Sequence, residues 1–397
     1  TGLEVNLLVA TSKSQEGNLR SQLDDDVTLV LEPERRDTAP AILLSSAFLL
    51  FENAACPSDT VVVMPIDSFV DQEFFDNIER LEEAVRSGFA DIMLLGVKPS
   101  CPSEKYGYIV PEEAGKAVSR VSRFVEKPKE DLAASLIDDG ALWNCGVFAF
   151  SVDFIGRTLA SYLDADSFGD VAASYSALPK KSFDYEVVEA SQSVGVIEYA
   201  GSWKDLGTWN ALTEEMELCS SGRVVVDPDT TQNVHAINET GLPMVVAGLR
   251  DAVVIATSDG ILATTKEASD KLKPLIESVA ESRPMYERRF WGEYRVLDHS
   301  SYPDGVCALT KELVIMPGRQ ISYQRHLHRS EIWTVVSGSG VVVLDGKPLP
   351  VSGGSVVQID PQTLHSIKAD TKMSIIEVQL GSELTEDDIE RFGYYWD

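Results

Sequence analysis

Val61-Val62-Val63-Met64-Pro65-Ile66-Asp67 decides how this chain is read: a β-branched run, a proline, then a carboxylate. Such a run predicts a strand buried on both faces, and ligands of open α/β sheets gather just past the carboxyl ends of such strands. Asp67 is therefore expected at a strand tip facing a cleft, although a turn or helix-capping aspartate would look the same. A second acidic tip, Trp203-Lys204-Asp205-Leu206-Gly207, lies far downstream among small residues and aromatics. The two tips together favour the cleft.

Outward from that strand, residues 3–10 and 27–31 read as strands, with a helical stretch from about Gln15 to Leu23 between them. Asp37 or Thr38 caps a helix with Pro40 in its first turn, continuing through Ala41 to Phe51. A further helix runs from about Gln72 to Arg86 on Phe74, Phe75, Ile78, Leu81 and Val85, and Ile92–Val97 is another buried strand. This alternation predicts an α/β domain around a mostly parallel sheet covered on both faces.

Charge narrows the ligands. With 63 acidic against 34 basic residues the net charge is −29, and Asp24-Asp25-Asp26 is a local acidic run. A surface this negative repels nucleic acid and anionic lipid, so neither is an expected partner, and an anionic substrate needs a local cation. Five cysteines without CxxC spacing read as structural thiols in a reducing compartment. With no apolar run of membrane-spanning length and no signal region, the expected location is cytoplasmic.

Between Pro99 and about Leu212 the polar segments come close together. Tyr106-Gly107-Tyr108-Ile109 sets a bare backbone position between two aromatics, as a twisted hairpin also would. Phe124-Val125-Glu126-Lys127-Pro128 closes a strand with an acid that could accept sugar hydroxyls and a base that could meet phosphate, unless the pair is merely solvated. Trp143-Asn144-Cys145-Gly146 and Ser182-Phe183-Asp184-Tyr185-Glu186 add an amide and further acids.

These segments, with Glu32-Pro33 and Arg36-Asp37-Thr38-Ala39-Pro40-Ala41, resemble in order and spacing the mannose-1-phosphate guanylyltransferases, in the form fused to a mannose-6-phosphate isomerase domain. The resemblance implies a Rossmann-like nucleotidyltransferase domain in which Asp67 and Asp205 hold Mg²⁺. Lys127 joins them as a catalytic residue, while Gly107, Tyr108, Glu126, Lys127, Asn144, Gly146 and Asp184 line the sugar-phosphate pocket. GTP and mannose phosphates are the implied partners. In nucleotidyl transfer a sugar-phosphate oxygen attacks the α-phosphorus in line and pyrophosphate leaves, so anion positioning and charge neutralisation suffice. Ser68 stands where the family usually has histidine, Asp37 replaces asparagine, and Glu104-Lys105 replaces threonine-glycine. The family's Gly-rich triphosphate loop would precede Thr1, which makes the segment an expected N-terminal truncation, unable by itself to turn over GTP.

The domain limits expected are 1–219 for the transferase, 220–285 for a β-rich extension ending in a helix near Lys266–Glu277, and 286–397 for a small β-barrel. His235, alone in the extension, reads as structural or surface. In the barrel, Gly318, Gln324, His326, Glu331 and Gly338 match the first cupin motif with glutamine for its first histidine, and Gly354, Asp360, Gln362 and His365 follow the second. Strand alternation would turn Gln324, His326 and His328 inward, with Glu331 and His365 arriving from neighbours. Gln324, His326, Glu331 and His365 then suit Zn²⁺ or another divalent first-row metal, against a metal-free barrel whose histidines are merely satisfied. His328, Arg325 and Arg329 become candidates for proton transfer and phosphate contact. The resemblance implies interconversion of mannose 6-phosphate and fructose 6-phosphate, with Ile332 departing from the family's histidine. Competing readings are a sugar-phosphate-binding or assembly protein without turnover and a transferase using another nucleotide. The barrel's hydrophobic edges are compatible with a homo-oligomer.

Overall fold

The structure is a computed structural model that describes residues 5–396 apart from 14, 21, 24–26, 54, 280–283, 383, 386 and 387, and apart from the side chains of 18 and 270. Residues 3 and 4 of the first expected strand and the Asp24–Asp26 run thus lie outside the described residues. Apart from residues 20–22, which group with the second, two compact units divide the chain between Gly207 and Thr208.

The first unit is built on a six-stranded sheet in the order Thr60–Val63, Leu142–Ser151, Ile92–Val97, Val194–Tyr199, Val118–Val125, Tyr108–Pro111. Ile92–Val97 is buried along its whole length, and alternate residues serve two cores. Ile92 and Leu94 join the core under helices Thr38–Phe51 and Val152–Ala160, while Met93 and Leu95 join the one under helices Glu73–Arg86 and Glu130–Asp138. The sheet is therefore covered on both faces, as expected. Asp37 caps the first of these helices by accepting the Thr38 N–H at 2.7 Å.

Two expectations are corrected. The sheet is mixed, not mostly parallel: among the described residues only Ile92–Val97 with Val194–Tyr199 pairs parallel within it. Strand–helix alternation stops at Val97, and the later chain inserts Leu142–Ser151 antiparallel between Thr60–Val63 and Ile92–Val97. Thr60–Val63 is half-buried, not buried on both faces; among the described residues it is an edge strand, pairing on one side only. Leu8–Ser12 and Thr28–Glu32 form a separate parallel pair.

A short ribbon positions the acids. Ser68–Val70 pairs antiparallel with Trp203–Asp205, setting Trp203 against Val70 and Asp205 against Ser68.

In the second unit, Ser220–Gly222, Gln232–Asn238 and Arg250–Ala256 stack in parallel, as do Val224–Val226 and Met244–Val246, around buried Val234, Ala236, Val246 and Ala252. His235 is buried on this stack. The chain then forms a six-stranded and a five-stranded sheet, with antiparallel neighbours throughout. Leu313, Trp333, Val335, Val342, Ile367 and Ile375 lie in the core of this barrel.

Candidate functional site

A cavity of about 200 Å³ in the first unit is lined by Asp67, Gly107, Glu126, Asn144, Gly146, Asp184 and Asp205 together. Asp67 is exposed, and Asp205 is half-buried with Oδ1 accepting the Gly207 N–H at 2.8 Å. Two carboxylates thus meet one cavity with oxygens to spare, which fits a hard divalent cation. Four acids against Lys105 make the lining strongly negative.

The sugar-side residues form a connected set. Asn144 donates to Asp184 Oδ1 at 2.6 Å and accepts the Gly146 N–H at 3.1 Å. Burial, then the charge of Glu126, pushes the Asp184 carboxyl up to about 6. Glu126 is nearly buried and its Oε1 meets Lys127 Nζ at 2.9 Å, while Oε2 has no hydrogen-bond partner among the described residues. Burial works against the Lys127 ammonium, but the hydrogen bond and charge of Glu126 raise it above its ordinary value. Lys127 itself, held by Glu126 beside the cavity and not part of its lining, sits at φ +46°, a left-handed conformation uncommon outside glycine. A Cβ on Gly107 would meet Glu126 Oε2 at 2.5 Å, so the bare backbone makes room for that carboxylate.

Tyr108 is corrected. Its side chain is fully buried and its hydroxyl bonds the backbone of Ser103, so it supports the fold and does not line the cavity. The aromatics that do line it are Tyr106 and Trp203; the Tyr106 ring is tilted against Trp143 at 4.7 Å and meets Trp203 edge-on at 5.4 Å. Both Tyr106 and Trp203 stood inside the recognised motifs without being assigned a role. Trp203 Nε1 is another buried polar atom without a partner among the described residues. Pro65, Ser68, Lys105 and Cys145 complete the lining.

In the barrel, ligand atoms of His326, Glu331 and His365 lie within 4.8 Å of one another, all three residues buried. His326 Nε2 is 2.9 Å from Glu331 Oε1, and His365 Nε2 is 3.6 Å from Oε2. His365 Nδ1 faces the Thr363 carbonyl at 2.9 Å, which turns Nε2, without a hydrogen-bond partner among the described residues, toward the cluster. Gln324 Nε2 stands 3.5 Å from His326 Nε2. Two imidazoles, a carboxylate and an adjacent amide fit a divalent first-row metal. Burial raises the Glu331 carboxyl, but His326, with His365 and Arg329 behind it, holds it below the usual range.

His328 and Arg325 are corrected. The strand Gln324–His326 ends before the alternation reaches His328, whose side chain is exposed in the following turn. Arg325 turns to Glu390 and the Phe392 ring. Arg329 is the buried cation of the site, its Nε 3.5 Å from Glu331 Oε1. The surrounding Trp333, Glu377 and Gln379 were not singled out from sequence. Trp333 Nε1 donates toward both Glu331 and Glu377, and Gln379 Nε2 does the same. Polar residues at alternate positions of Met373–Gly381 were the available signal.

Residues 4–221 match the family model described as nucleotidyl transferase, and 279–394 that described as mannose-6-phosphate isomerase C-terminal. The mannose-1-phosphate guanylyltransferase of Escherichia coli K12 is 30% identical over 92% of this chain and 82% of its own length. The chain belongs to the mannose-1-phosphate guanylyltransferase family. Another relative in this family, the alginate biosynthesis protein AlgA of Pseudomonas syringae pv. tomato, is 30% identical over 92% of this chain and 80% of its own. A crystal structure from Thermus thermophilus, described as a mannose-1-phosphate geranyltransferase, superposes with a TM-score of 0.56 at 29% identity, covering 68% of this chain and 83% of that one. The fold is thus the nucleotidyltransferase domain, β-rich extension and cupin-type barrel of this guanylyltransferase family. Among the described residues no helix is long and apolar enough to cross a membrane.

Proposed function

We propose that the protein joins mannose 1-phosphate to the nucleotidyl group of GTP, forming GDP-mannose and releasing pyrophosphate. The observation that carries this reading is the single cavity on which Asp67, Asp205, Glu126, Asn144 and Asp184 converge. Asp67 and Asp205 would hold Mg²⁺, which when bound supplies positive charge to the phosphates. The chain's own residues do the rest. Glu126 Oε2 and Trp203 Nε1, an acceptor and a donor without partners among the described residues, are suited to sugar hydroxyls. Asn144 holds Asp184 in place, and Lys127, tethered by Glu126, offers a cation to the sugar phosphate. Measuring pyrophosphate release by the full-length protein, with mannose 1-phosphate and each of GTP, ATP, UTP and dTTP, tests this. GTP-dependent release is expected; release with another nucleotide alone, or none, would reject it.

A second activity is supported by the barrel cluster. His326, Glu331, His365 and Gln324 would hold Zn²⁺ or another first-row ion that polarises a sugar carbonyl, with buried Arg329 keeping Glu331 ionised. Interconversion of mannose 6-phosphate and fructose 6-phosphate is the corresponding reaction; Ile332 has no ionisable group to act as its base, and His328 is exposed. Absence of fructose 6-phosphate turnover in metal-loaded protein would leave a barrel that binds metal without isomerising. A cytoplasmic location accords with these soluble substrates and with the free cysteines.

A further inference from the structure

We propose that Asp71 is a positioning residue for the Asp67–Asp205 pair, clamping the ribbon that carries both acids; this rests on reading that pair as the cation site. The ribbon is only three residue pairs long. A pairing that short is not stable alone, and a slip of one residue would send Asp205 to the opposite face. Something must fix its register.

Asp71 does so from the end away from the acids. It follows the strand Ser68–Val70, while Ser202 directly precedes Trp203–Asp205. Asp71 Oδ2 accepts the Ser202 N–H at 3.0 Å, and Oδ1 accepts the Tyr199 hydroxyl at 2.5 Å. Tyr199 ends a central strand of the six-stranded sheet, so one carboxylate joins both ribbon strands to the rigid core. Oδ1 also accepts the Phe74 N–H at 3.2 Å, tying in helix Glu73–Arg86. At Gly201, which sits between Tyr199 and Ser202, an added Cβ would come within 2.6 Å of Asp71 Oδ2. The clamp occupies the space a side chain would need.

Asp71 does not line the cavity, and Tyr199→Phe, which removes no charge, isolates its effect through the ribbon from the direct effect of its charge on a bound ion. The whole protein is titrated with Mn²⁺ alone, following free Mn²⁺ by electron paramagnetic resonance. The binding component that disappears in Asp205→Asn defines the site and separates it from the barrel. Tyr199→Phe and Asp71→Asn should each weaken that component by about tenfold, the scale for groups that orient metal ligands. Their double variant should lose little more than the weaker-binding single one, because both cut the same clamp. Tyr199→Phe leaves the Phe74 and Ser202 bonds of Asp71 in place, which keeps the test open should an Asp71 variant fold poorly. Parental Mn²⁺ affinity in Tyr199→Phe and Asp71→Asn, with the component absent in Asp205→Asn, would overturn the clamp and leave the cation site standing. Full Mn²⁺ binding in Asp205→Asn would remove the cation site and the clamp's purpose together.

Discussion

Asp205 lies directly across the short ribbon from Ser68, the neighbour of Asp67. The pairing brings to one cavity two acids that the sequence places on distant segments, and neither has a role in packing the core. Carboxylates so placed are available for a ligand.

Asp67→Asn and Asp205→Asn are expected to lower kcat by about 10²–10³-fold, the scale for removing one charge-stabilising group from a transfer site. Thermal stability should change little, within about 0.5 kcal/mol for Asp67, because it is exposed. Steady-state kinetics beside calorimetric melting check both parts.

Gly107→Ala is expected to act through Glu126. The new methyl would meet Glu126 Oε2 at 2.5 Å and Phe124 Cζ at 2.9 Å. Overpacking of this kind costs about 1–3 kcal/mol and would push the carboxylate off its position. A raised KM for the sugar phosphate with a smaller change in KM for the nucleotide is the expected signature.

The raised Asp184 carboxyl predicts a pH dependence of stability. Its folded value of about 6 lies above its ordinary 3.8, so between those values the folded state binds more protons than the unfolded one. Stability from this group is full below about pH 4 and is lost as pH rises through 6, a total of about 3 kcal/mol. Asp184→Asn should flatten that slope. Urea midpoints of both proteins between pH 4 and 7 measure it.

Much of this was legible in the sequence, and the failures have physical causes. Ile92–Val97 and the helix from Glu73 announce themselves by apolar periodicity, and both are where periodicity puts them. Strand direction after Val97 was not legible, because antiparallel insertion depends on which long-range partner a strand finds. Tyr106 and Tyr108 flank the same glycine and alternation puts both on one face; Tyr106 reaches the cavity because it precedes the strand Tyr108–Pro111, and that strand's start was not legible. His328 was misplaced because a strand's end is set by its turn, here pinned by Asp388 Oδ1 accepting the Leu327 and His328 N–H groups. The Glu331 cluster was found by motif spacing, but Glu377 lay beyond it on another strand.

Zn²⁺ or Mn²⁺ at about 100 times its Kd should stabilise the second unit by about 2.7 kcal/mol, raising its Tm by about 5–10 °C. A chelator should reverse the rise. Glu331→Ala should abolish it and also destabilise the metal-free protein by about 3–5 kcal/mol, since Arg329 would lose a buried counter-charge and the His326 ring its neighbouring carboxylate. Differential scanning calorimetry with and without metal reads both effects.

The most direct test of the central claim is an anomalous difference map from crystals soaked in Mn²⁺ and GTP. One peak bonded to a carboxylate oxygen of Asp67 and one of Asp205, each at roughly 2.0–2.3 Å, is the predicted result. A nucleotide-bound ion held by neither acid, or by one with the other turned away, would contradict it.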